Sequence, residues 1–134
     1  MLNFAPKIKS KMNNALCTIR DVYRSIRKLE EYFQLKYDLC LNEGMMLCSL
    51  KNGKLSSTEL SEALGLTPSN TSKIIKSVED KKFIKRIMGK EDKRHMYFTL
   101  TKLGEAKLSY LQNEEKKMID FLNEINHLTN IEDK

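Results

Sequence analysis

The residues most suited to chemistry lie in one short basic stretch in the second half of the chain. Between Thr67 and Arg94 the sequence holds nine basic and four acidic residues, which gives +5 of the chain's net charge of +6. Short polar and basic side chains are concentrated there, and such side chains can hydrogen-bond base edges or phosphates. A focused positive charge attracts a polyanion, so the stretch can be interpreted as a binding surface for one. The alternative interpretation is an ordinary lysine-rich surface that is only solvated. Composition alone does not separate the two.

Other kinds of chemistry find little support in the sequence. There is no Gly-rich phosphate loop, nucleophile elbow or pair of catalytic acids, so we expect no enzyme and no cofactor. The three cysteines form no Cys-x-x-Cys pair, which argues against a structural zinc site. His95 and His127 have no ligand-spaced partners. We therefore expect no metal site.

Length and hydropathy place the chain among ordinary globular proteins. Its 134 residues are the size of one domain. No apolar run approaches the ~20 residues that span a bilayer. The first seven residues lack the charged start and apolar stretch of a signal peptide. We expect a cytoplasmic protein without a membrane partner.

Two long helices are predicted on either side of the middle of the chain. Apolar residues recur every three or four positions from about Ser10 to Tyr37 and again from Thr101 to about Leu128. The first of these helices carries a narrow apolar stripe, and its opposite face is charged. A long helix with such a stripe packs against another long helix.

Three shorter helices are predicted between the long ones. One runs from about Asn42 to Lys51. Ser56 and Glu59 have capping-box spacing at the start of the second, which Gly65 ends. The third runs from Pro68 to about Lys81, because Thr67 is a good N-cap and Pro suits the first helical position. On this third helix we expect Thr71, Ile74, Ile75 and Val78 to face inward, and Ser69, Asn70, Ser72, Lys73, Lys76 and Ser77 to face outward.

A β-hairpin is predicted directly after these helices. Phe83–Met88 and His95–Leu100 read as strands, and Gly89–Arg94 forms a polar tip between them. Two helices joined by a tight turn and followed by a basic hairpin make a winged helix-turn-helix. The sequence therefore predicts a mainly α fold with a small β-hairpin wing (α+β).

This order of elements resembles the MarR family of bacterial regulators. The matching stretches are Ser57–Leu66, Ser69–Val78, Glu91–Arg94 and Leu100–Gly104. The resemblance implies a homodimer whose first and last helices interleave. It divides the chain into an N-terminal dimerisation helix (1–38), a DNA-binding winged helix-turn-helix (39–100) and a C-terminal dimerisation helix (101–134) that packs with the first.

The resemblance also implies a sequence-specific transcription regulator. Such a protein acts as a repressor on a pseudo-palindromic operator in double-stranded DNA and is released by a small-molecule effector. We expect base-edge contacts from Ser69, Asn70, Ser72 and Lys73, phosphate contacts from Lys76, Lys85 and Arg86, and wing contacts from Lys90, Asp92, Lys93 and Arg94.

The wing of the family carries an Asp-x-Arg pattern, which is Asp92-Lys93-Arg94 here. A carboxylate beside DNA phosphates is repelled unless it has another task. Pairing with Arg94 would hold the guanidinium in one orientation. The alternative is that Asp92 only forms the turn, which Asp favours.

One position departs from the family pattern. Lys82 stands between the recognition helix and the first wing strand, where the family usually has Gly. A non-Gly residue in the left-handed conformation costs about 1–2 kcal/mol. Either Lys82 accepts that strain or the turn is built differently.

Two other functions stay open at this point. Winged helices also serve as protein-interaction modules, and the long helices could scaffold a complex. One branch of the family senses hydroperoxides through a cysteine in the first helix, and Cys17 lies at a similar place. The tyrosines that accompany that cysteine do not match here, so we expect Cys17 to be a small core or interface residue.

Overall fold

Six helices and three short strands make up the part of the chain that a computed structural model describes, residues 14–129. In chain order they are α1 (Ala15–Tyr37), α2 (Leu41–Ser49), β1 (Leu55–Ser56), α3 (Ser57–Leu64), α4 (Pro68–Asp80), β2 (Ile84–Met88), β3 (Met96–Leu100), α5 (Lys102–Asn113) and α6 (Glu115–Thr129). The predicted mainly α fold with a β-hairpin wing is confirmed. No helix within residues 14–129 is long and apolar enough to cross a membrane.

The sheet contains the predicted hairpin and one strand that was not predicted. β2 and β3 pair antiparallel from Ile84 opposite Leu100 to Met88 opposite Met96. β1 pairs with the other edge of β3 through Leu55 opposite Phe98, so the strand order is β1-β3-β2. A strand of two residues has no period, and this explains why the sequence pattern does not reveal it.

Local capping sets the bounds of the two helices of the helix-turn-helix. Ser56 Oγ accepts the Glu59 N–H at 3.1 Å, and Glu59 Oε1 accepts the Ser56 N–H at 2.8 Å. Gly65 ends α3 with a left-handed φ of 68°. Thr67 Oγ1 caps α4 by accepting the Asn70 N–H at 3.1 Å. All three features were predicted from the sequence.

The described residues form two compact units. Residues 33–113 make up one, which contains the end of α1, the elements from α2 to α5 and the sheet. Its core includes Tyr37, Leu39, Met46, Leu60 and Val78, none more than 1% exposed. The other unit brings together the described part of the chain up to Tyr32 and α6.

The predicted C-terminal helix is wrong in one respect. One continuous helix was expected from Thr101 to about Leu128, and the structure has α5 ending at Asn113 and α6 beginning at Glu115. Six residues separate Leu111, the last apolar residue before the break, from Met118, the next one after it, and the last four of them, 114–117, are charged. No apolar side chain is available there to anchor a helix turn. The predicted start of the first helix at Ser10 lies outside the described residues.

Lys82 accepts the left-handed conformation, with φ 69°. The Lys82 N–H donates to Glu79 O at 2.8 Å, and the Phe83 N–H donates to Val78 O at 3.1 Å. These two bonds are the pattern of a Schellman motif at a helix C-terminus. Thr101 Oγ1 also donates to Lys82 O at 2.7 Å, which ties the turn to the start of α5. The turn is therefore built as in a Gly-containing chain, with Lys in the strained position.

Replacing Lys82 by Gly is expected to be neutral or stabilising by up to about 1.5 kcal/mol. The change removes about 1–2 kcal/mol of strain from the left-handed backbone of the folded state. It costs about 0.5–1 kcal/mol, because Gly loses more backbone conformational entropy on folding. Thermal unfolding of Lys82→Gly beside wild type measures the difference. Lys82→Ala, which keeps the Cβ, is the control and should not stabilise. A clear drop in Tm for the Gly variant would show that the Lys side chain contributes more than its backbone costs.

Candidate nucleic-acid interface

α4 presents a polar face to solvent and a mostly apolar face to the core. Thr71, Ile75 and Val78 are buried, as predicted. The predicted contact residues Ser69, Asn70, Ser72, Lys73 and Lys76 are all exposed. Lys76 makes only an exposed ion pair with Asp80, at 3.5 Å, and such a pair contributes little to stability. The exposed face of α4 therefore carries amide, hydroxyl and ammonium groups that a partner can reach.

The N-terminal half of α4 is attached to α3 through hydroxyl groups. Ser61 Oγ donates to Thr71 Oγ1 at 2.8 Å, and Thr71 Oγ1 donates to Thr67 O at 2.8 Å. Thr71 is 1% exposed. Hydrogen bonds made by buried groups are directional, so they restrict how α4 can turn against α3.

The outward prediction for Ser77 is wrong. Its side chain is half-buried, and its hydroxyl donates to a carboxylate oxygen of Glu43 in α2. The sequence pattern misplaced it because Ser is usually a surface residue, while the buried acceptor lies 34 positions earlier in the chain.

Arg86 has a partner within the protein. Its guanidinium donates to both carboxylate oxygens of Glu79, at 2.8 and 3.1 Å, and lies 5.5 Å from the centre of the Phe98 ring. Bidentate pairing fixes the plane of the group and links the last turn of α4 to β2. The phosphate contact expected of Arg86 stays a prediction, and Lys85 beside it is exposed on β2.

The tip of the wing is organised by Asp92. Its Oδ1 accepts the Arg94 backbone N–H at 3.0 Å, while the Arg94 guanidinium donates to Oδ1 at 3.2 Å and to Oδ2 at 3.4 Å. Both interpretations of Asp92 therefore describe the structure, since it forms the turn and also pairs with Arg94. The Arg94 side chain is 91% exposed, and Lys90 and Lys93 are exposed beside it.

Backbone geometry brings the two sides of the tip together. The Gly89 N–H donates to His95 O at 2.8 Å, and the His95 N–H donates to Asp92 O at 3.0 Å. A Cβ on Gly89 would lie 2.8 Å from Asp92 O, closer than real Cβ atoms come, so this tight tip excludes other residues unless the backbone shifts. The guanidinium of Arg94 is thus held on a hairpin whose shape depends on backbone contacts.

The structure brings the predicted residues into two groups, the exposed face of α4 and the wing tip. Sequence reasoning missed two carboxylates: Glu43 of α2, which accepts from Ser77 and Lys81 at the end of α4, and Glu79 of α4, which pairs with Arg86 of β2. Glu79 could have been suspected from an opposite charge seven residues on, across a turn. Glu43 could have been suspected from its place three residues after the N-cap of α2. No cluster of three or more side chains able to hold a metal ion occurs within residues 14–129.

Comparisons with known proteins agree on one family. Residues 41–96 match the model of the MarR family. The transcriptional regulator SarZ of Staphylococcus haemolyticus is 28% identical over 97 residues, 71% of this chain and 66% of the relative, which is just under two thirds of that protein's length.

Solved structures share the fold at low sequence identity. The S. aureus MepR–DNA complex has a TM-score of 0.68 at 21% identity, covering 79% of this chain and 80% of that one. The reduced form of E. coli MarR has a TM-score of 0.67 at 19% identity, covering 83% and 81%. These likenesses confirm the winged-helix architecture.

The carboxyl group of Asp92 is expected to titrate below the ordinary value for aspartate. The Arg94 backbone N–H, followed by the Arg94 side chain, lowers the pKa of Asp92. Because the folded pKa is depressed, the tip gains stability above the ordinary aspartate pKa and loses it as pH falls through the lowered value. Carboxyl chemical shifts recorded against pH measure this. Arg94→Ala should raise the Asp92 pKa only part of the way, since the backbone N–H remains. An ordinary or raised Asp92 pKa in the wild type would refute the arrangement.

Proposed function

The chain belongs to the MarR family of transcriptional regulators through residues 41–96, and on that premise we propose that it binds specific sites in double-stranded DNA as a homodimer. It acts as a repressor on a pseudo-palindromic operator, and a small-molecule effector releases it. The observation that carries this proposal is the exposed polar and basic face of α4 beside a wing whose arginine is held by Asp92.

α4 is the proposed recognition helix. The major groove of B-DNA admits an α-helix, and base edges there are read by hydrogen bonds. Ser69, Asn70, Ser72 and Lys73 lie in the first half of α4, where the residues of a recognition helix usually meet the bases. Lys76 and Lys85 supply charge for phosphates. Arg86 is proposed as a further phosphate contact that remains paired with Glu79.

The wing is the proposed second contact. Arg suits a narrow minor groove, where the negative potential is enhanced. Asp92 supports this role although it is itself acidic, because it orients the Arg94 guanidinium before DNA arrives. Lys90 and Lys93 flank the pair and offer charge to the phosphate backbone.

An uncovered apolar stripe on α1 supports the homodimer. Leu16, Ile19, Tyr23 and Ile26 recur at helical spacing, and their exposures are 81%, 52%, 61% and 39%. Leu122 of α6 is 61% exposed. A contiguous apolar patch of this kind marks an interaction surface. A second copy of the chain offers the same stripe, which is what a two-fold interface requires. Cys17 is exposed on α1 and is therefore not a core residue of this chain, and its place in the interface stays a prediction.

DNA binding is tested by selecting bound duplexes from a pool of random sequences. The most enriched duplex is then titrated with the protein at several salt concentrations. We expect a selected sequence with two inverted half-sites about one helical turn apart. The logarithm of affinity should fall with the logarithm of salt concentration, with a slope of about −0.9 for each phosphate contacted. If no duplex sequence is enriched, or if the affinity does not depend on salt concentration, a protein-interaction module is favoured instead.

Within that assay, both Arg94→Ala and Asp92→Ala are expected to weaken binding, each by about tenfold, roughly the weight of one good groove contact. The Asp92 variant removes a negative charge, and simple electrostatics would predict tighter binding. Weaker binding would therefore show that the contacts of Asp92 within the tip, to the Arg94 backbone and guanidinium, outweigh the loss of its charge. Glu91→Ala removes the same charge one position away without breaking the pair and is the control. If Asp92→Ala tightens binding as Glu91→Ala does, the orienting role is wrong.

The homodimer is tested by sedimentation velocity. Wild type is expected to sediment as a dimer, whereas Ile19→Lys combined with Tyr23→Lys should shift it to monomer, because two ammonium groups would have to be buried in the interface. Lys28→Ala, on the side of α1 opposite the stripe, is the control and should leave the dimer intact. A monomeric wild type, or a dimeric double variant, would show that the stripe is not the interface.

A further inference from the structure

A buried carboxylate links the recognition helix to the junction between α1 and α2. Glu43 lies in the first turn of α2, and only 3% of it is exposed. None of the DNA contacts proposed above uses it. Its Oε1 accepts the Cys40 backbone N–H at 2.8 Å and the Lys81 ammonium at 3.0 Å, and its Oε2 accepts the Ser77 hydroxyl. Burying a charge is costly unless the group is paired and hydrogen-bonded, and here both oxygens have donors.

Two of those donors belong to the end of the recognition helix. Ser77 and Lys81 are four residues apart, so they lie on the same side of the helix one turn from each other. The Lys81 ammonium also donates to Asp38 O at 2.8 Å, in the turn that follows α1. The end of α4 is therefore bonded both to the first turn of α2 and to Asp38, the first residue after α1. We call Glu43, Ser77 and Lys81 the carboxylate clamp.

The clamp has a consequence that apolar packing would not have. Apolar side chains pack closely, but the hydrophobic effect that buries them is non-directional. Hydrogen bonds to a fixed carboxylate are directional, so they add a constraint on the rotation of α4 about its axis. Thr71 holds the first half of α4, and the clamp holds the second. Lys73 and Lys76 lie between these two attachments, and a rotation of α4 would displace both.

The ionised state of Glu43 is favoured within the clamp. Burial acts to raise the pKa of Glu43, but the hydrogen bonds from Ser77, from the Cys40 N–H and from Lys81 outweigh it, and the pKa lies below the ordinary glutamate value. The carboxylate therefore keeps its charge and accepts from all three donors at neutral pH.

We propose that Glu43 is a positioning residue for DNA recognition, which fixes the rotational setting of α4 through Ser77 and Lys81. The inference rests on the proposed function. It assigns the specificity of the interface in part to a side chain that touches no DNA.

The chain offers a matched control for this proposal. Glu59 occupies the same capping-box position in α3 as Glu43 does in α2, and each accepts the backbone N–H of its N-cap residue at 2.8 Å. Among the described contacts, only Glu43 reaches α4. Ser49 offers a similar control for Ser77, because its hydroxyl bonds only to Met45 O within α2.

The test measures the affinity of each variant for the selected duplex and for a random duplex, together with its thermal unfolding. Glu43→Gln and Ser77→Ala are expected to weaken binding to the selected duplex about tenfold, roughly the loss of one base contact. Binding to random duplex should change less than twofold, since phosphate contacts tolerate a small rotation. Glu59→Gln and Ser49→Ala should leave both affinities unchanged. The mild Ser77→Ala variant keeps the test valid if Glu43→Gln lowers the folded fraction.

The outcomes separate the two proposals. If wild type binds no duplex, the proposed function fails, and the positioning role fails with it. If wild type binds and folded Ser77→Ala binds the selected duplex equally well, the positioning role alone is overturned. Equal losses for Glu43→Gln and Glu59→Gln would assign the effect to helix capping and would also overturn it.

Discussion

A helix that offers polar side chains to a partner must be held at one rotation about its own axis, and hydrogen bonds hold α4 at both halves of its buried face. Thr71 is bonded to Ser61, and Ser77 is bonded to Glu43. The apolar residues between them pack closely, and the hydrogen bonds add directional constraints on the angle. The direction of Asn70 and of the lysines on the exposed face therefore depends in part on a few polar atoms underneath.

The wing depends on the recognition helix in a similar way. The Schellman turn at Lys82 reverses the chain within two residues after α4, and the Glu79–Arg86 pair spans that reversal. Phe98 packs beneath the same arginine. The hairpin is thus attached to the helix through the Glu79–Arg86 ion pair and the turn itself, while its tip is shaped locally by Asp92. Helix and wing can act on one ligand because they share this short connection.

Local rules in the sequence predicted most of the fold. The capping box at Ser56, the left-handed Gly65, the Thr67 cap and the hairpin all follow from neighbours within a few residues. The failures have a common physical origin. β1 is too short for a period, and the partner of Ser77 is 34 residues away. The break between α5 and α6 reflects missing apolar anchors in a charged run. The exposed contact face of α4 was predictable, because the spacing of apolar residues along a helix shows which face points to solvent. The groups that fix the rotation of α4 about its axis were not predictable, because they pair with residues in distant elements.

Gly104 limits how far the sequence can diverge. A Cβ at this position would lie 2.0 Å from Phe83 O, which leaves no room for any side chain unless the turn after α4 moves. The exposed residues on the polar face of α4 are not restricted by such a close contact. They can be substituted when the sequence that the protein recognises changes. In distant descendants of this gene the contact residues should therefore drift first, while the Leu-Thr-x-x-Gly pattern at the end of β3 persists. A search for remote relatives is better anchored on that pattern than on the side chains that recognise the partner.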